Sequence, residues 1–295
     1  MKHLAFRLRF FGLVAFAMGA GLWPVSAQAA TAPGLGAAGN FALLSAAPLS
    51  GGAVTCTGGT ITGNVGSSGA RAAVVQTLCP ITGSITAPVS ALVVNNFNTA
   101  YAGYTSIPCG QTLTGTLAGI SLTPGVYCFD AAAALTGTLT LNGPPTGTWI
   151  FKIGAATSPP TGALTGTNFT VVMAGGAVPC NVNWWVAEAT TMTDSNLKGT
   201  VLAGAAITLK RGTFAGSALA KAGVTITGTA LVGCAGAAGG GGGGTGGGDN
   251  EGDNHNCNQG DEHGSSARDS GRHSENRKSC GENEAGDHSK KSERD

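Results

Sequence analysis

Between residues 30 and 238 the side chains that could carry acid–base chemistry are few and far apart. The carboxylates there are Asp130, Glu188 and Asp194, the cations are Arg71, Lys152, Lys198, Lys210, Arg211 and Lys221, and histidine is absent from that stretch. Acid–base or triad chemistry needs a base within hydrogen-bond reach of its partner. No carboxylate pair, nucleophile–histidine pair or arginine clamp can be named from these positions. The inventory points away from an enzyme and asks for no cofactor. Cations scattered without an interleaved aromatic motif also give no electrostatic footprint for nucleic acid.

Two other residue types carry chemistry. Six cysteines lie in the body (Cys56, Cys79, Cys109, Cys128, Cys180, Cys234) and two in the tail (Cys257, Cys280). Their spacings contain no CxxC, which argues for disulfides over zinc. Six cysteines admit many connectivities; neighbours in sequence are the expected partners, Cys56 with Cys79, Cys109 with Cys128 and Cys180 with Cys234. The tail also holds His255, His263, His273 and His288, at spacings that match no standard metal site. No metal is expected.

The second type is threonine. A degenerate five-residue unit recurs as ITGNV from 61, ITGSI from 81, LTGTL from 113, LTGTL from 135, LTGTN from 164 and ITGTA from 226. In an extended strand residues one, three and five share a face. Each unit therefore reads as a short strand with an apolar dry side centred on glycine and a hydroxyl-bearing wet side, Asn168 being the polar exception on the dry side. Several separations are near 20 residues, which suits one coil of a three-sided β-solenoid. Glycine in the narrow interior and at the corners fits that architecture, and a sandwich of short strands is the competing arrangement.

One segment departs from the strand pattern. Val89, Leu92, Val93, Phe97, Ala100, Tyr101 and Tyr104 recur at helical spacing, predicting an amphipathic helix across 88–104 that covers a flank of the β core. Thr86 is expected to cap it, with Pro88 in its first turn and Asn95, Asn96, Asn98 and Thr99 toward water. Trp149, Phe151, Phe169 and Trp184 lie in apolar strand stretches and are read as core. Lys210 and Arg211 read as an exposed pair that aids solubility.

The ends have their own character. Lys2, Arg7 and Arg9, an apolar run from Phe10 to Leu22, and the small-residue end Ala27-Gln28-Ala29 form a secretory signal peptide over 1–29. No later run is long and apolar enough to span a membrane. The domain occupies 30–238, a glycine-rich linker 239–248, and a charged, disordered tail of unknown partner 249–295. The mature protein is expected to be secreted and monomeric.

Several ordered landmarks together carry a family resemblance: LGAAGNFALL at 35–44, LTPGVY at 122–127, LTGTLTL at 135–141, WIFK at 149–152, NVNWWV at 181–186, LKGTVLA at 197–203 and GSALA at 216–220. Over roughly 35–233 the chain resembles the secreted ice-binding proteins built on a discontinuous β-solenoid with a flanking helix. The resemblance implies a mainly β, right-handed, triangular solenoid with one long α-helix alongside. It also implies ice contact through one flat side.

Ice presents neither charge nor a pocket-filling ligand, so its recognition requires a rigid array of small hydroxyl and methyl groups. The candidates are Thr62, Asn64, Thr82, Ser84, Thr114, Thr116, Thr136, Thr138, Thr165, Thr167, Thr227 and Thr229, extended by Thr140, Thr208 and Thr225. They cannot all occupy one side. The expected function is adsorption to ice with inhibition of its growth or recrystallisation; the alternative is a secreted structural or adhesion protein on the same fold.

Overall fold

Short runs rich in Val, Ile, Leu and Thr favour pleated strands, and in this chain they stack in parallel. The computed structural model describes residues 31–47 and 52–234. The expected signal peptide, linker and charged tail, with the tail cysteines and histidines, lie outside the described residues. The first coils comprise β1 (Leu43–Ser45), β2 (Val54–Thr57), β3 (Thr60–Thr62), β4 (Val65–Ser67) and β5 (Val74–Thr77), and β6 (Ile85–Thr86) opens another. Helix α1 (Ala91–Thr105) follows, then β7 (Gln111–Thr112) and β8 (Ser121–Leu122). Five further coils each join a short strand to a long one. These are β9 (Gly125–Phe129) with β10 (Ala133–Asn142), β11 (Trp149–Ile153) with β12 (Leu164–Ala174), β13 (Val182–Val186) with β14 (Thr190–Lys198), β15 (Thr200–Ala203) with β16 (Ile207–Ala215), and β17 (Ala218–Ala220) with β18 (Val224–Val232).

Side A of the solenoid is the sheet β6-β4-β1-β17-β15-β13-β11-β9-β7. The other two sides share the sheet β5-β2-β18-β16-β14-β12-β10-β8, whose long strands each turn a corner. The turning residues adopt positive φ: Gly137 (71°), Asn168 (50°), Asp194 (49°), Arg211 (59°) and Gly228 (63°). Strand halves before the corner form side B and halves after it form side C. The stacking order departs from chain order, because β1 and β2 pair with β17 and β18. The first described coil thus stacks against the last, and the chain must return from β6 to β7 at the far end. Eight strand spacings of about 4.8 Å make that journey about 38 Å. The 15-residue helix covers about 22 Å of it, and its flanking segments cover the rest.

Inward residues from all three sides form one buried core. On side A, Tyr127, Phe151 and Trp184 form an inward stack with ring centroids 5.5 and 4.0 Å apart. On side B one inward rank reads Leu135, Gly166 and Met192, and an added Cβ at Gly166 would meet Met192 Sδ. Trp149, Phe151, Phe169 and Trp184 are all fully buried, as a core reading requires. Disulfides join Cys56 to Cys79, Cys109 to Cys128 and Cys180 to Cys234. The first ties β2 to the residues just after its neighbour β5.

Side A also has an outward apolar face, and α1 covers it. Leu44, Ile150, Trp185, Leu202 and Leu219 pack against Val93, Phe97, Ala100, Tyr101 and Tyr104. Trp185 Nε1 donates to the Tyr101 carbonyl at 3.0 Å, and the Tyr101 hydroxyl donates back to the Val186 carbonyl at 3.0 Å. Burial pushes the Tyr101 phenol up to about 12. Lys152, also buried, donates from Nζ to the carbonyls of Thr105 and Ile107, at 3.2 and 2.5 Å. It thereby satisfies acceptors at the helix C-terminus. Burial lowers its pKa.

The helix start differs from expectation. Thr86 lies in β6, paired through Gly66, and Val89 N donates to the Ser67 carbonyl at 2.8 Å. The chain stays tied to the neighbouring coil through Val89, so Pro88 precedes the helix and Ser90 stands at the N-cap, without a side-chain capping bond. Leu92, expected on the apolar face, is 62% exposed. No helix among the described residues is long and apolar enough to cross a membrane.

Candidate functional site

Most of the five-residue units are corners rather than straight strands, and this redistributes the candidate residues. Gly115, Gly137 and Gly228 have φ of 75°, 71° and 63°, values that cost glycine least. They turn the chain between Thr114 and Thr116, Thr136 and Thr138, and Thr227 and Thr229. Each such pair is therefore split around a bend. Gly63 turns the chain between sides C and A, with φ of 129°. Only Gly166 is an inward glycine in mid-strand, where an added Cβ would meet Met192 Sδ. Asn168, expected on the dry side, is exposed at a corner.

Thr229 is buried, 2% exposed, with its hydroxyl against the Arg211 carbonyl at 3.4 Å. It leaves the candidate set, because after the corner its side chain points inward. Asn64 and Ser84 are also removed, being bonded to each other at the corner: Ser84 Oγ and N each lie 3.0 Å from Asn64 Oδ1. Thr138, Thr140, Thr62 and Thr82 belong to the side C half of their coils. Thr114 and Thr116 line an open cleft beside the Phe129–Ala134 turn, past the last strand of side B.

Side B gathers the remainder into two ranks. In the first, Thr165 pairs with Thr191, Thr191 with Thr208, Thr208 with Thr225 and Thr225 with Thr55. Ala134 and Val75 close the two ends. The second rank runs Thr167, Thr193, Lys210, Thr227, Thr57 and Thr77, again in unbroken register. Thr136 extends it, since Leu135 pairs with Gly166 next to Thr167. Sequence reasoning missed Thr55, Thr57, Thr77, Thr191 and Thr193, which lie outside the glycine-centred unit. The available signal was the alternation in VTCT, TTMT, ITLK and VTIT, with every second residue pointing outward.

Hydroxyl bonding separates the sides. On side B, among the described residues, the only threonine of the two ranks whose hydroxyl meets a protein acceptor is Thr165, 3.3 Å from the Ala133 carbonyl. On side C, Asn196 Nδ2 donates to Thr170 Oγ1 at 3.4 Å and Thr213 Oγ1 donates to Asn196 Oδ1 at 2.9 Å. Charge is confined. Arg211 clamps Asp194 at their shared corner, with Nε–Oδ1 at 2.5 Å and Nη2–Oδ2 at 2.6 Å. That hydrogen bond holds the Asp194 carboxyl below its ordinary pKa. Arg211 is therefore half of an exposed ion pair rather than free, whereas Lys210 stands alone in its rank.

Residues 48–232 match the sequence model of a known family, described as ice-binding-like. The chain belongs to the ice-binding-like family. An ice-binding protein of Nostoc sp. (strain HG1) is 35% identical over 214 residues, spanning 69% of this chain and 74% of that protein. The crystal structure of an ice binding protein from an Antarctic biological consortium superposes with a TM-score of 0.61 at 29% identity, covering 72% of this chain and 96% of that one. A second, from the Antarctic ascomycete Antarctomyces psychrotrophicus, gives a TM-score of 0.59 at 28% identity, covering 68% and 98%. This ice-binding-like domain thus has the solenoid-plus-helix fold of its relatives.

Proposed function

We propose that the chain adsorbs to ice through side B and inhibits ice growth. The observation that carries this reading is the first rank: Thr165, Thr191, Thr208, Thr225 and Thr55 in register on five consecutive strands, four of them with hydroxyls free of protein partners. Outward residues two apart repeat at about 6.7 Å along a strand and at about 4.8 Å between strands. The two ranks therefore present a two-dimensional grid of methyl and hydroxyl groups, able to hold water in a repeating, ice-like arrangement. β-branching restricts χ1, so little rotamer freedom remains to be lost on adsorption. Many weak contacts made together by one stiff surface then add.

Adsorbed molecules pin the growing front, which bulges between them, and the curvature opposes further growth. The reaction-free character of this task agrees with the sparse charge inventory. The family relatives favour it over the adhesion reading. We further propose that the protein acts outside the cell as a monomer, exported through residues 1–29. The disulfides suit an oxidising compartment. The test is thermal hysteresis and crystal shaping by the full secreted chain, with uptake into a growing ice hemisphere. Facetted crystals and uptake are expected; smooth, unshaped discs with exclusion from the ice would reject ice adsorption.

A further inference from the structure

The second rank on side B has one interruption, and it falls in the middle. Thr136, Thr167 and Thr193 lie on one side of Lys210, and Thr227, Thr57 and Thr77 on the other. Lys210 is exposed, and it is the one charged residue among the outward positions of the two ranks. Nothing in the fold requires a lysine there: among the described residues the sole ion pair is Arg211 with Asp194, and Lys210 has no hydrogen-bonded side-chain partner. Threonine has the higher strand preference.

We propose that Lys210 sets the strength of ice adsorption by dividing the second rank into two runs of three. Resting on the assignment of ice contact to side B, the inference concerns potency within that surface. An ammonium is a compact, strongly hydrated charge with three donors and no acceptor. It orients its water radially outward, whereas a lattice water needs both donors and acceptors around it. Its four-carbon stem rises beyond the plane of the threonine methyls and has several rotatable bonds to immobilise. Water over Thr193 and Thr227, one strand away on either side, is disturbed by the same charge. The first rank stays whole, so the wild-type surface works with one complete row and two fragments.

The test compares thermal hysteresis of the full secreted chain with the variants Lys210→Thr, Lys210→Ser, Lys210→Glu and Thr208→Tyr, each checked by its thermal unfolding curve. Lys210→Thr joins the fragments into one row of seven and is expected to raise hysteresis roughly twofold or more at equal concentration, through added simultaneous contacts. Lys210→Ser should also rise, which keeps the test open should one variant fold poorly. Lys210→Glu, which inverts the charge but keeps one strongly hydrated ionic group at the break in the rank, should stay near the wild-type value. Hysteresis of Lys210→Thr and Lys210→Ser equal to or below wild type would overturn the inference, showing the ammonium to be neutral or a contributor. Thr208→Tyr separates the two questions: its loss of activity keeps side B as the contact surface whatever the Lys210 variants do, and its indifference rejects side B itself.

Discussion

Sides B and C are made by the two halves of the same five strands, β10, β12, β14, β16 and β18, yet they offer water different surfaces. Both carry threonine. On side B the outward residues at Thr165, Thr191, Thr208 and Thr225 repeat one type in register, with their χ1 held by β-branching and their hydroxyls mostly free. The corresponding rank on side C reads Thr170, Asn196, Thr213 and Ala230, and its polar groups are bonded to one another. Next to it, Val172 and Val232 stand 42% and 54% exposed. On the proposed assignment of ice contact to side B, threonine content alone does not make a recognition surface; uniform register with unspent hydroxyls does. Side A makes the same point from the other direction, since its outward Leu44, Ile150, Trp185, Leu202 and Leu219 convert an identical strand ladder into a helix-docking face.

The strongest way to break this comparison is one bulky ring on each side. Thr208→Tyr, at the centre of the first rank, lifts the ice contact off the surface and is expected to reduce thermal hysteresis by roughly an order of magnitude, since the contacts act together. Thr213→Tyr, on the next half of the same strand β16, is expected to leave hysteresis within error. It loses the bond to Asn196 and about 1 kcal/mol of stability, readable as a small fall in the melting temperature. Equal losses from both variants would show that the two sides share the work.

How far the residues foretold this arrangement depended on what each signal measures. The helix was legible because Val93, Phe97, Ala100, Tyr101 and Tyr104 keep helical spacing, and the coils because some units, those at 61 and 81 and those at 113 and 135, recur near 20 residues. The sides were not legible. A glycine in a five-residue unit marks a bend only if its φ is positive, and LTGTL at 135 bends while LTGTN at 164 runs straight through Gly166 and bends at Asn168. Asn168, Asp194 and Arg211 hold the left-handed corner conformation without being glycine, so β14 and β16 bend with no glycine-centred unit to mark the corner. The bend at Gly228 turned Thr229 out of the proposed site, and Thr191 and Thr193 entered it from a strand that holds no glycine-centred unit. The stacking of the first coil on the last, which brings in Thr55 and Thr57, is a tertiary choice that no local pattern records.

A smaller effect sharpens the comparison from inside. Thr190 is the inward residue of β14 beneath the first rank, in register with Leu164 and Ile207, and its Oγ1 is buried without a partner. Replacing it by the near-isosteric valine removes a desolvated hydroxyl and keeps the shape. Thr190→Val should raise stability by about 1 kcal/mol and leave hysteresis unchanged, because the outward ladder is not altered. A fall in hysteresis would mean that the grid is sensitive to the packing below it.

The smallest effect lies at the edge between the two sides. Asp194 and Arg211 both sit in the corner column with positive φ, and their clamp ties β14 to β16 where side B turns into side C. Arg211 holds the Asp194 carboxyl below its ordinary pKa, so the clamp's contribution is fully present above about pH 4, the unfolded value, and is lost as pH falls through the lower folded value. Both groups are exposed, and an exposed pair contributes little. Hysteresis measured at constant salt is accordingly expected to stay flat from pH 8 down to about pH 4. Any decline should begin only below that, and Asp194→Asn should remove this acid limb while keeping the neutral-pH value. A decline centred near pH 6 would instead place a titrating carboxylate or histidine on the proposed contact surface, and the two ranks of side B hold neither.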